Sequence, residues 1–165
     1  MTTHREDHRI VIYGNAGSGK TTMARALATE LGAAHLDLDS ITWQTPGIRK
    51  ALADTLRLLE EFVASNTRWV IEGCYGDVVE AATRWCTELR FLNPGVEVCV
   101  ANCRNRPWEP SKFPSKEAQD EMLSVLVEWV RQYETRDDEY GLRRHTEVFE
   151  AFAGSKREYP GLSRG

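Results

Sequence analysis

Arg9-Ile10-Val11-Ile12-Tyr13-Gly14-Asn15-Ala16-Gly17-Ser18-Gly19-Lys20-Thr21-Thr22 is the stretch on which the rest of the chain turns. Arg9 to Tyr13 is a short β-branched run ending on Gly14, the pattern of a buried strand. Gly14 to Thr21 fits GxxxxGK[ST] at every position. Glycines let such a loop curl until its backbone N–H groups point inward at phosphate oxygens. A helix starting directly after the loop aims its positive end at the same place. Lys20 suits the β- and γ-phosphates and Thr21 a magnesium ion, so ATP with Mg2+ is the expected ligand. Gly14, Asn15, Ala16, Gly17, Ser18, Gly19, Lys20, Thr21 and Thr22 are the candidate nucleotide-binding residues. The alternative is an ordinary glycine-rich turn, and the strand-to-helix context argues against it.

Outward from this loop the pattern is strand then helix, several times over. Met23, Leu27 and Leu31 lie four apart on a helix that Gly32 stops. Ala33-Ala34-His35-Leu36 predicts a short second strand, and Leu52, Leu56, Leu59 and Val63 mark one face of an amphipathic helix. Trp69-Val70-Ile71 and Leu89-Arg90-Phe91-Leu92 are the third and fourth strands. Val96 to Val100 suits a strand by alternation, or a helix with Asn93 as cap and Pro94 in the first turn. Three prolines make Arg104 to Pro114 a loop, followed by a long helix carrying Met122, Leu126, Trp129, Val130 and Tyr133. A last helix spans about Leu142 to Phe152, and Lys156 to Tyr159 is a possible final strand. Alternating strands and helices predict an α/β fold with a parallel sheet covered on both faces. No linker divides residues 1–165, so a single domain is expected.

The chain has 165 residues, 41% hydrophobic and 28% charged, enough for one substantial core. A net charge of −4 lacks the basic balance of a dedicated nucleic-acid binder. No run approaches the roughly 20 apolar residues of a membrane span, and Met1 to Arg9 is too polar for a secretory signal. A cytoplasmic protein, monomeric or homodimeric, is the expectation. Cys74, Cys86, Cys99 and Cys103 form no CxxC pair and make a poor zinc site. The histidines show no ligand spacing and receive no role.

Asp37 and Asp39 fall at the carboxyl end of the second strand, where open parallel sheets gather their ligands. In extended backbone their i, i+2 spacing points both the same way. One can serve magnesium through water while the other holds or deprotonates a hydroxyl nucleophile. Glu72, before Gly73 at the end of the third strand, is the second candidate magnesium partner. Solvated loop acids or helix caps are the bland alternative for Asp37 and Asp39, and a loop acid freed by the strand's end is that for Glu72.

These elements together resemble the small P-loop kinases typified by adenylate and shikimate kinases. Leu36-Asp37-Leu38-Asp39 with Trp43, Trp69-Val70-Ile71-Glu72-Gly73-Cys74-Tyr75 and Phe91-Leu92 resemble more closely the DNA-topology-modulation-protein-like kinases. There the third-strand stretch commonly reads W-[IV]-[IV]-D-G-N-Y, so this chain departs from it at Glu72 and Cys74. The similarity covers about residues 9 to 108. It implies a three-layer P-loop NTPase sandwich with about five strands ordered 2-3-1-4-5, a helical Val96 to Cys103, and a mobile lid over roughly 104–116. It also implies lid arginines that clamp the transferring phosphoryl, for which Arg104 and Arg106 stand by position and Arg136 is a further candidate. Surface arginines without that duty are the alternative. Asp39, Trp43, Gly73, Tyr75 and Arg136 form the expected acceptor side. Trp43, Tyr75 and Trp108 either stack on a ring-bearing acceptor or cover exposed core.

The resulting expectation is a phosphotransferase with Lys20, Asp39, Arg104 and Arg106 as catalytic residues, Thr21, Asp37 and Glu72 at the metal, and ATP and a small molecule as partners. A P-loop ATPase or nucleotide-dependent switch is the second reading, although no NKxD guanine motif is present. A nucleic-acid end kinase is the third, and the acidic charge balance argues against it.

Overall fold

The computed structural model describes residues 7–161; the polar N-terminal stretch 1–6 and the last four residues lie outside the described part. Five strands form one all-parallel sheet: β1 (Arg9–Gly14), β2 (Ala34–Asp37), β5 (Trp69–Gly73), β6 (Glu88–Asn93) and β7 (Ser155–Pro160). Their spatial order is β2-β5-β1-β6-β7. Counted among themselves they run 2-3-1-4-5. The chain numbering differs because a separate two-stranded hairpin, β3 (Trp43–Thr45) and β4 (Ile48–Arg49), intervenes. Ile10 to Tyr13 are almost wholly buried, because β1 is the middle strand and is covered on both faces.

One face packs α1 (Lys20–Leu31), with Met23, Ala24, Leu27 and Leu31 against Ile10, Ile12 and Val70. The other packs α3 (Leu52–Ser65), α4 (Gly76–Ala82) and α7 (Leu142–Ala151) against Val11, Tyr13, Ile71 and Phe91. A third apolar cluster joins α5 (Val96–Arg104) to α6 (Lys116–Arg131) through Cys99, Val100, Cys103, Val127 and Val130, with Ala16 against it. The ambiguous stretch after Pro94 is therefore helical, with Gly95 rather than Asn93 at its cap. The last strand runs from Ser155 to Pro160 at the open edge, parallel to β6.

The hairpin, α4 and the single helical turn α2 (Asp39–Thr42) are too short to leave a period in the sequence. The α2 turn changes the geometry of the paired aspartates. Leu38 takes helical φ and ψ of −61° and −22°, so the backbone is extended only as far as Asp37. Asp37 Oδ1 turns to accept the Asp39 N–H at 2.9 Å. The two carboxylates thus do not stand side by side as strand spacing predicts. One caps the turn that carries the other.

Candidate active site

Between β1 and α1 the backbone closes into a cradle. Gly17 and Gly19 have φ of 79° and 97°, a region that L side chains avoid. At Gly17 space forbids a side chain as well, since a Cβ there would lie 2.3 Å from the Cys99 carbonyl oxygen. Behind the loop, Asn102 Nδ2 donates to the Gly17 carbonyl at 2.8 Å and Asn15 Nδ2 to the Val130 carbonyl at 3.2 Å. The N-terminus of α1 has no side-chain cap and no acid in its first turn. Its N–H groups and the positive end of its dipole are left for an anion. Lys20 Nζ donates to the Asn15 carbonyl at 2.7 Å, which holds the ammonium across the loop.

Thr21 and Glu72, two of the candidate metal-binding residues, come together beside it. Thr21 Oγ1 donates to Glu72 Oε1 at 2.5 Å, and Glu72 Oε2 lies 2.7 Å from His35 Nε2. Glu72 is only 2% exposed, and its two oxygens both have partners. Asp37 is its register neighbour on the adjacent strand. Burial first, then the charge of Asp39 and more weakly that of Glu72, pushes the Asp37 carboxyl above its ordinary value. Hard oxygen donors crowded in this way fit a small divalent cation. Thr21 gives its proton to Glu72 and keeps its lone pairs free. No cage of three or more acidic, His or Cys ligands occurs among the described residues. That fits Mg2+ arriving with a nucleotide, which needs one or two protein oxygens besides phosphate and water.

Asp39 faces away from the cradle. Its Oδ1 accepts a short hydrogen bond from the Tyr75 hydroxyl, which in turn accepts from Trp43 Nε1 at 2.8 Å. Its Oδ2 lies 3.8 Å from Lys112 Nζ in the segment between α5 and α6. Gly73 lets this corner close, because a Cβ there would meet the Leu38 side chain at 2.7 Å. The three aromatics behave differently. The Tyr75 ring is buried and offers only its hydroxyl, whereas Trp43 and Trp108 are 37% and 43% exposed.

The arginines separate too. Arg104 ends α5, exposed, and Arg106 follows it half-buried; neither forms an ion pair among the described residues. Burial pushes the Cys99 thiol up to about 11, and the nearby charges of Lys20 and then Arg106 work against that rise. Arg136 is occupied elsewhere: it pairs with Asp138 at 3.0 Å and lies 4.3 Å from the Trp129 ring centre.

Three partners escape a reading of the sequence. His35 is legible in principle, since it stands two residues before Asp37 on one strand face. Lys112 reaches Asp39 from a distant loop and leaves no local sign. His145 is fully buried, with Nδ1 2.7 Å from the Tyr133 hydroxyl and Nε2 2.8 Å from the Cys74 carbonyl. Burial above all lowers its pKa to about 4.

A family model described as the ATPase family associated with various cellular activities (AAA) matches residues 10–71, the part that holds the cradle, Asp37, Asp39 and most of β5. The chain has the P-loop NTPase fold. Solved structures with the same fold include a gluconokinase from Sinorhizobium meliloti 1021, 18% identical, with TM-score 0.53 over 95% of this chain and 84% of that one. A sugar kinase from Janibacter sp. HTCC2649 is 16% identical, with TM-score 0.52 over 93% of this chain and 84% of that one. No curated protein matches the chain. No helix among the described residues is long and apolar enough to cross a membrane.

Proposed function

We propose that the protein is an ATP- and magnesium-dependent phosphotransferase that moves the γ-phosphoryl group to a hydroxyl of a small molecule in the cytoplasm. The observation that carries this reading is the orientation of Asp39. It lies close in sequence to the Asp37 carboxylate yet makes no hydrogen bond to the cradle, and Tyr75 fixes one of its oxygens while the other is 3.8 Å from Lys112 on a side chain that stays 44% exposed. That is the arrangement of a base or anchor for an acceptor hydroxyl. In this reading Gly14 to Thr22 hold the triphosphate, and Lys20 stabilises charge on the β- and γ-oxygens. Magnesium, when bound, would supply positive charge against the charge that develops on the phosphates. Thr21 would hold it directly, Glu72 and Asp37 through water. Arg104 and Arg106, without ion pairs among the described residues, close over the phosphoryl as the 104–116 lid moves, and Trp43, Gly73 and Tyr75 shape the acceptor side. Arg136 serves that side from behind, by bracing Tyr140. The kinase folds of the solved neighbours agree with this reading. Kinship with the DNA-topology-modulation-protein-like kinases belongs to the same proposal and rests on the strand-end residues, Tyr75 above all.

The test is incubation with ATP, Mg2+ and a library of hydroxylated metabolites and nucleosides, with products read by mass and Lys20→Ala as the control. A product that needs Lys20 is expected. One observation favours a second reading: the matched family model is one of ATPases. Steady phosphate release with no phosphorylated acceptor in any pool makes the ATPase reading the right one.

A further inference from the structure

The charges and rings around Asp39 define the kind of acceptor this cleft takes, given the phosphotransferase reading on which the inference rests. Trp43 and Arg49 are register partners across the hairpin. The Arg49 guanidinium lies over two rings, 5.2 Å from the centre of Tyr75 and 5.8 Å from that of Tyr140. Its Nη2 is 3.3 Å from both oxygens of Asp77, and its Nη1 donates to the Tyr140 hydroxyl at 3.3 Å. Asp77 therefore offsets the charge that would otherwise greet an anion. Three further cations bordering this wall are paired as well, while Lys50, next to Arg49, has no ion pair among the described residues. Lys112 sits 3.8 Å from Asp39 and 3.9 Å from Glu109, Arg144 bonds Glu80 and Glu139, and Arg136 is held by Asp138.

Recognition of a carboxylate or phosphate relies on an available guanidinium or ammonium. Here an anionic substituent would meet Asp37, Asp39, Asp77 and Glu109, with two cations, Arg49 and Lys112, already neutralised among them. Trp43 sharpens the point. Its N–H is taken up by Tyr75, so the exposed part of the indole is its apolar, electron-rich face. Such a face receives C–H surfaces and, better still, ammonium groups. The Lys112 ammonium beside Asp39 Oδ2 already occupies the position a ligand amine would take.

We propose that the acceptor is a hydroxyl compound carrying no anionic group, laid against Trp43 with its hydroxyl at Asp39, and that an amine on it strengthens binding.

Two measurements test this on the full chain. The first reads the local potential without needing the right acceptor. Tryptophan fluorescence is quenched with iodide or caesium, normalised to free N-acetyltryptophanamide, and the Trp43 contribution is the difference between wild type and Trp43→Phe. Caesium should quench Trp43 at least about twofold more effectively than iodide at low salt, as a negative surface potential requires. Arg49→Met should widen that ratio and Asp77→Asn narrow it. Equal quenching, or a preference for iodide, overturns the proposal. The second is a phosphorylation screen with equal numbers of neutral, amine-bearing and anionic alcohols, D-glucose, D-glucosamine and D-gluconate among them. Products confined to the non-anionic members support it; preferred use of acids overturns it and leaves the phosphotransferase reading standing. Caesium preference with no phosphorylated member upholds the charge assignment and defeats the phosphotransferase reading instead.

Discussion

Replacing Tyr75 by Phe removes one oxygen and leaves the ring in place, so it isolates what holds Asp39. The hydroxyl donates to Asp39 and accepts from Trp43, and burial above all raises the phenol pKa far beyond its ordinary value, so it remains a donor throughout the working pH range. Packing against Trp43, Tyr140 and Arg49 survives in the variant. The two orphaned groups are partly exposed, with the Asp39 side chain at 44%, so water reaches them. The stability loss is then about 1 kcal/mol, the net value of an ordinary hydrogen bond, or roughly 2–4 °C in Tm for a domain of this size. Activity responds more strongly. A hydrogen bond to a charged group contributes about 1.5–3 kcal/mol when geometry is held. If the bond is made in full only when Asp39 is engaged with the acceptor, losing about 1.4 kcal/mol slows turnover about tenfold. The assay is steady-state kinetics on an acceptor found by the mass screen, with ATP binding by calorimetry and thermal melting alongside. The expected result is kcat down about tenfold, ATP affinity unchanged and a small drop in Tm. Unchanged turnover refutes the reasoning about Asp39, and loss of ATP binding moves Tyr75 into the nucleotide site.

Lys20→Ala should leave the circular dichroism spectrum unchanged and reduce phosphoryl transfer by at least about 100-fold, the usual cost of one preorganised charge donor; a folded, active variant dislodges the cradle from the chemistry. Glu72→Gln should raise the Mg2+ concentration for half-maximal activity about 10- to 100-fold, as loss of a partner behind a metal ligand does; a large fall in Tm with no change in Mg2+ requirement gives Glu72 a structural role only. His145 supplies a pH dependence. Its folded pKa of about 4 lies below the ordinary value of 6.5, so the unfolded chain takes up the proton first. The contribution is complete above pH 6.5 and declines as pH falls towards 4, by about 3 kcal/mol in all. Melting curves from pH 7 to 4.5 should show a slope for wild type that His145→Gln loses, and identical slopes exclude the buried neutral imidazole.

The parts legible in the sequence are those whose signal is local. The β-branched run, the glycines and Lys20-Thr21 lie within 14 consecutive positions, so the motif reads without its distant partners on β5, β6 and α6. The inner sheet strands can be read because burial on both faces demands apolar runs, whereas β7 is polar and exposed along almost all its length and leaves a much fainter sign. The hairpin cannot be read, since a three-residue strand paired with a two-residue one has no period to detect. Asp37 and Asp39 stand out as residues but not as geometry, because strand spacing does not show that Asp37 turns its side chain onto the Asp39 N–H while Leu38 is buried under Gly73. Arg49 and Asp77 are 28 positions apart, Lys112 and Asp39 further still, and nothing in one sequence pairs them.

The same limit hides how the C-terminal third is tied to the site. The turn that sets Tyr75 is gripped from behind by residues beyond the lid. His145 holds the Cys74 carbonyl at 2.8 Å, and the Glu139 carbonyl accepts the Gly76 N–H at 2.8 Å. His145 is itself fixed by Tyr133, three residues after Val130, whose carbonyl receives Asn15 of the cradle. The cradle and the turn that carries Tyr75 are therefore both tied to the segment from Val130 to Tyr133 at the end of α6. A lid that dragged α6 with it would disturb both anchors at once. In the phosphotransferase reading, closure therefore hinges ahead of the helix, where Ser115 caps it by accepting the Ala118 N–H at 3.1 Å, and moves the segment that carries Arg106 without disturbing either anchor.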